Sequence, residues 1–183
     1  MKAQGGFNLT ELIIVVAIVA ILLSIGVPSY RYITNSYRIT SEINGLLGDL
    51  MFARAEAIKE GQPVTVCVSS GANCLGTVKW QSGWVVYSNP APGAANPPAG
   101  SILRTQAAFT GPGGMPDTFL ATNGVSAVTY NREGFATAAG FAATTITLQD
   151  PTANATWTRC LVISAVGTLT TETPTNSPSG TCL

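Results

Sequence analysis

The sequence contains no histidine, and only 10% of its 183 residues are charged. Without imidazole there is no side chain that titrates near neutrality unperturbed, and the commonest metal ligand is missing. The carboxylates that could do acid–base work in the second half, Asp117, Glu133, Asp150 and Glu172, stand far apart in the chain. No nucleophile with a neighbouring base is suggested, so the sequence argues against an enzyme and implies no cofactor. Positive charge is equally sparse. Lys2 is the only basic residue before Arg31, and the eight that follow (Arg31, Arg38, Arg54, Lys59, Lys79, Arg104, Arg132, Arg159) are scattered singly against eight acids. Binding to nucleic acid takes clustered Lys and Arg to neutralise phosphates, and the dispersal argues against that partner.

There are four cysteines, Cys67, Cys74, Cys160 and Cys182, with no C-x2-C spacing, which argues against a thiolate zinc site. Three disulfide connectivities are possible. Locality favours Cys67 with Cys74, closing a short loop, and Cys160 with Cys182, tying the tail to a strand. Four thiols in a reducing compartment are the alternative, and export would favour the bridges.

What the chain does have is one long apolar run. Leu12 to Leu23 is unbroken, and Phe7 to Val27 is interrupted only by Asn8, Thr10, Glu11, Ser24 and Gly26. As a helix this segment reaches across roughly 30 Å of hydrocarbon. A secretory signal has a shorter core behind a more basic start. Cleavage after Ser24-Ile25-Gly26 remains open on pattern alone, but the helix continues into a second amphipathic segment, which argues for retention. Glu11 is the conspicuous residue. Asn8 and Glu11, three apart, fit the start of a helix, with Asn8 as cap and the acid at the positive end of the helix dipole. Capping explains why the acid is tolerated. No Lys or Arg of the segment can pair with it, so its partner would be an α-amino group. Gly26 and Pro28, at the end of the run, allow a kink or local melting of the helix.

From Arg31 to about Glu60, apolar positions (Ile33, Tyr37, Ile39, Ile43, Leu46, Leu47, Leu50, Ala57, Ile58) recur mostly at steps of three and four. This predicts an amphipathic helix, with Glu42, Asp49, Glu56 and Glu60 interleaved with Arg38, Arg54 and Lys59 on its wet face, ending at Gly61-Gln62-Pro63. Beyond it the period becomes two. Strands are expected at Val64–Val68, Val78–Tyr87, Ile102–Thr105, Val125–Tyr130, Thr145–Leu148 and Cys160–Ser164, forming an antiparallel sheet on which the helix packs. The proline-rich stretch from Asn89 to Gly100, then Gly111 to Pro116 and Pro174 to Gly180, reads as surface loops. Trp80 and Trp84 read first as packing residues of one hairpin, and second as an exposed pair for a partner. The fold class is α+β.

Gly6-Phe7-Asn8-Leu9-Thr10-Glu11 followed by the apolar run resembles the processing site of type IV pilins and type II secretion pseudopilins. The resemblance implies a leader over residues 1–6, a membrane and assembly helix over 7–29, and an exported pilin-like domain over 30–183. It implies cleavage by prepilin peptidase between Gly6 and Phe7, N-methylation of Phe7, and pairing of Glu11 with the terminal ammonium of a neighbouring subunit. The usual Ser or Thr is replaced here by Asn8, also a good cap.

The order ARAEAIKEGQPVTVCVSS, WQSGWVVY, YNREGF, RCLVISAVGTL is similar to the GspH/FimT family of minor pilins and pseudopilins, with Arg54, Ala57, Gly61, Val64, Cys67, Trp80, Gly83, Trp84, Gly134 and Gly167 at comparable places. One branch binds DNA through a Gly-Arg-x-Arg segment. This chain has Gly167-Thr168-Leu169-Thr170 there, so the resemblance points to the FimU-like branch. It implies a single-pass inner-membrane subunit with a periplasmic or extracellular domain, whose partners are other minor and major pilins or pseudopilins. The alternatives are a type II secretion pseudopilin and a DNA-capturing minor pilin.

Overall fold

The computed structural model describes residues 8–89, 96–111, 114–137 and 143–182. It divides into two compact units, Met1–Arg38 and Ile39–Leu183. One helix, α1 (Leu9–Glu60), contributes to both. Its start is set by Asn8, whose carbonyl accepts from the amides of Glu11 and Leu12 at 3.0 and 3.2 Å, with the Glu11 acid in the first turn. Helical backbone continues through Gly26 and Pro28. Pro28 offers no N–H to the Ser24 carbonyl, one hydrogen bond less in that turn. Gly61, at φ +66°, ends the helix in the left-handed conformation that glycine adopts without steric cost.

In the second unit, Ile39, Ile43, Leu46, Leu50, Ala53 and Ala57 form the buried stripe of α1 at alternating steps of four and three. The stripe packs on strands arranged as two antiparallel sheets where the sequence suggested one. The first sheet has the order β3-β2-β1-β5-β6, from β1 (Val64–Val68), β2 (Trp84–Ser88), β3 (Ile102–Gln106), β5 (Ala127–Tyr130) and β6 (Ala136–Thr137). The second has the order β4-β7-β8-β9, from β4 (Thr118–Ala121), β7 (Ala143–Gln149), β8 (Arg159–Ser164) and β9 (Leu169–Glu172). Val64, Val66 and Val68 of β1 join the core shared with α1, while Cys67 joins Val85 and Tyr87 in a second buried cluster. Both faces of β1 are covered, and every residue in it is buried.

The expected strand Val78–Tyr87 is shorter than its pattern. Lys79 bridges Leu120, Trp80–Ser82 forms a 3-10 turn, and pairing starts only at Trp84. Gly83 is the cause. Its φ is +95°, and a Cβ there would lie 2.4 Å from the Gln106 carbonyl oxygen, so the backbone turns where alternation alone predicts extension.

The wet face of α1 also needs correction. Glu42 is buried, Asp49 accepts from Trp84 Nε1 at 2.8 Å and pairs with Arg104 at 3.0 Å, and Arg54 donates to backbone carbonyls of a distant turn. These charges flank the apolar stripe, and Asp49 and Arg54 reach the strands and the turn beside it, which a helical pattern read alone does not reveal.

Candidate functional site

The first candidate is the front half of α1. Every large apolar side chain from Leu9 to Val27 is at least 45% exposed, and an 18-residue window reaches a mean hydropathy of 2.8. Exposure on all sides distinguishes this segment from an amphipathic helix, whose apolar residues occupy one stripe. By length and composition this helix is apolar enough to cross a membrane. Ser24 Oγ donates back to the Ile21 carbonyl at 2.7 Å, satisfying the hydroxyl inside the helix.

Glu11 is exposed in the first turn. The next basic residue along the helix is Arg31, and twenty residues at 1.5 Å place it roughly 30 Å away. Among the described residues no cation lies within ion-pair distance of Glu11. Gly6 and Phe7, the expected cleavage and methylation residues, lie outside the described residues, as does Lys2.

The second candidate lies where the family-like glycines converge. Arg54 Nη1 donates to the Gly167 carbonyl at 2.9 Å, and Nη2 to that of Val166. Gly167 itself has φ +78°, and a Cβ on it would stand 2.2 Å from the Gly134 carbonyl oxygen. A Cβ on Gly134, at φ +82°, would meet Ile58 and Arg54. Two turns, one between β5 and β6 and one between β8 and β9, therefore approach α1 closely enough that only glycine fits. The guanidinium holds the turn carbonyls with charge-assisted bonds. Ala136 N donates to Ala165 O at 3.1 Å and ties the same turns together. The sequence placed these three residues in one family pattern without showing that they touch.

All four cysteines are in disulfides. Cys67 joins Cys74, beside Tyr87, and Cys160 joins Cys182. Burial pushes the Tyr87 hydroxyl pKa up, with a hydrogen bond from Thr65 opposing it. Near the second bridge, Glu172 takes hydrogen bonds from the Ser177 and Ser179 hydroxyls and the Ser179 amide. The Ser179 hydroxyl is the main cause that holds the Glu172 carboxyl below its ordinary pKa, with burial acting against it. Trp80 and Trp84 are both fully buried, their rings 6.4 Å apart, and Trp80 Nε1 donates to the Val125 carbonyl. They are core residues, and the exposed pair is set aside. Asp49, the acceptor of Trp84, carried no separate signal in the sequence.

The long helix with an exposed apolar front half, and the antiparallel sheets packed on its other half, define a pilin-like α+β protein. A protein-family model described as "Type II transport protein GspH" matches residues 42–167, and the chain belongs to this family. The fold is similar to that of the type IV minor pilin FimU of Pseudomonas aeruginosa in two crystal forms. One gives a TM-score of 0.54 at 18% identity, covering 78% of this chain and 96% of that one. The other gives 0.57 at 17% identity, covering 81% and 96%. Two proteins of Pseudomonas aeruginosa, each named "Fimbrial protein", are 42% identical over 64 residues, 35% of this chain. The match spans 41% of the length of those relatives.

Proposed function

We propose that this protein is a minor pilin, a structural subunit and not an enzyme, that enters a type IV pilus through the front half of α1. The observation that carries the reading is the bare apolar surface from Leu9 to Val27, with the lone acid Glu11 at its front edge, on a GspH-family chain. Before assembly the helix sits across the inner membrane with the sheet domain on the far side. Prepilin peptidase cuts between Gly6 and Phe7, and Phe7 is N-methylated. The new terminal ammonium of one subunit then pairs with Glu11 of its neighbour as the helix moves from lipid into the filament core.

The physics of the transfer is favourable on both sides. Helix and bundle each satisfy the backbone internally, so moving from lipid to protein exposes no peptide group. The acid is the term that discriminates. A carboxylate at the centre of a membrane helix costs about 2.5–3.5 kcal/mol, less near the end, and an ammonium partner offsets that cost only in the assembled state. Gly26 and Pro28 supply a weak point where the helix can bend on entering the filament. The sheet domain selects its neighbours among minor and major pilins, with a place in the tip or priming complex. Glu11→Ala tests the reading. We expect a folded exported domain and reduced recovery in filaments sheared from cells, whereas recovery equal to the parent protein would sink the role of Glu11.

The family description favours a second reading, a pseudopilin of a type II secretion system. Deleting the protein separates the two, with loss of surface pili supporting the first and loss of protein secretion the second. DNA capture has less support. The segment Gly167-Thr168-Leu169-Thr170 carries no arginine, and Lys59, Arg104 and Arg132 are paired with Glu56, Asp49 and Glu133. DNA retardation that weakens steeply with salt would revive it.

A further inference from the structure

Beyond Val27 the surface of α1 does not become uniformly polar. Tyr30, Ile33 and Tyr37 are 72%, 48% and 74% exposed. At 100° per residue, Tyr37 returns to within about 20° of Tyr30 and Ile33 lies about 60° to one side, so these three side chains share one face of the helix as a stripe. The stripe lies wholly within the first compact unit and takes no part in the buried core. Thr34, which follows Ile33, donates its hydroxyl back to the Tyr30 carbonyl at 2.8 Å. Arg31 stands exposed beside the stripe, and Arg38, the residue after Tyr37, donates to Asn35 Oδ1 at 2.9 Å.

We propose that Tyr30, Ile33 and Tyr37 seat α1 in the headgroup layer of a glycerophospholipid bilayer and so fix the depth at which the subunit waits before assembly. The proposal rests on the reading of Leu9–Val27 as the membrane-spanning part and adds where the boundary lies. Continuity argues for lipid as the occupant. From Leu9 to Val27 the helix rises roughly 28 Å, about one hydrocarbon thickness, so the next turn of the same helix emerges in the headgroups. Tyrosine suits that layer because its ring is apolar and its hydroxyl is not.

Side-chain direction closes the geometry. Helical side chains lean toward the N-terminus, so the Tyr37 ring covers the turn before its own Cα, about 5 Å nearer the membrane. The same lean applies to Tyr30, so the two rings stay about 10 Å apart along the axis and bracket a headgroup layer roughly 5–8 Å deep, Tyr30 at its hydrocarbon side and Tyr37 at its water side. Arg31 lies at the level of the phosphates, where a guanidinium can reach them while its stem stays in apolar surroundings.

The test uses the full chain in phosphatidylethanolamine–phosphatidylglycerol vesicles, with three single substitutions, Tyr30→Trp, Tyr37→Trp and Ile18→Trp. Each is read as loss of the added tryptophan emission to lipids spin-labelled at the headgroup or near the chain end. We expect the Trp at 30 and the Trp at 37 to lose most emission to the headgroup label, and the Trp at 18 to the chain-end label. If the Trp at 18 is quenched deeply while those at 30 and 37 escape both labels, the stripe lies in water, for contact with protein, and the proposal fails with the spanning reading intact. Quenching of the Trp at 37 mainly by the chain-end label places the stripe in hydrocarbon and overturns the proposal too. If the Trp at 18 escapes both labels, the spanning reading itself fails.

Discussion

Arg54 in α1 and Gly167 in the β8–β9 turn, 113 residues apart, are joined by a 2.9 Å hydrogen bond from guanidinium to backbone carbonyl. Removing the guanidinium leaves two turn carbonyls without their charged donor. Arg54→Ala should lower the unfolding free energy by about 1.5–3 kcal/mol, the usual worth of a hydrogen bond to a charged group. Denaturant unfolding of the detergent-solubilised chain checks it, and an unchanged midpoint would deny the junction its stabilising role.

The glycine on the other side of that bond makes a sharper case. Gly167→Ala combines a strained φ with a Cβ 2.2 Å from the Gly134 carbonyl oxygen, whereas Gly180→Ala, at φ +66°, meets nothing within 4 Å. We expect losses of about 2–4 kcal/mol for the first and about 1–2 kcal/mol for the second, because only the first adds a clash to the backbone strain. Thermal melts of the two variants should fall in that order, and equal melts would contradict the close approach.

Much of this architecture was legible in the sequence, and the exceptions have physical causes. Both helix halves were visible from hydropathy and from the period of three to four. So were β1, β3, β8 and the proximity-favoured cysteine pairs. The short strands β4, β6 and β9 were not, since two to four residues carry too little alternation, and β9 is the Thr-rich edge Leu169–Glu172. The junction was half legible. Arg54, Gly134 and Gly167 could be named, but only the packed chain shows that they meet. Asp49 reads as solvated from its charge pattern, which reports the face of a helix and not the reach of a neighbouring Trp84 or Arg104.

The two disulfides should differ in worth. In the chain-entropy account, closing the 22-residue separation of Cys160 and Cys182 stabilises by about 3 kcal/mol, and the 7-residue separation of Cys67 and Cys74 by about 2 kcal/mol. Paired Cys→Ala variants measured by urea unfolding should show the larger loss for the tail bridge. The reverse order would mean that the short loop stabilises through its contacts with Tyr87 and not through closure.

The tail also carries a pH dependence. Glu172 has its folded pKa lowered from 4.5 by the Ser179 hydroxyl foremost, so it contributes stability that is complete above 4.5 and is lost as pH falls through the lowered value. Hydrogen-exchange protection of the Ser179 and Cys182 amides should therefore drop on acidification below about 4.5 in the parent protein. In Glu172→Gln the protection should be weaker at neutral pH and should not change through that window. An identical acid transition in both proteins would remove Glu172 as its source.

Processing of this chain as a pilin is read from intact mass and N-terminal sequencing of the protein isolated from its native membrane, with and without reduction. The account predicts a chain beginning at N-methylated Phe7 that gains about four mass units on reduction, two for each disulfide. A chain beginning at Met1, or one cut after Gly26, would contradict it, because the first leaves no terminal ammonium at Phe7 and the second removes Glu11 itself.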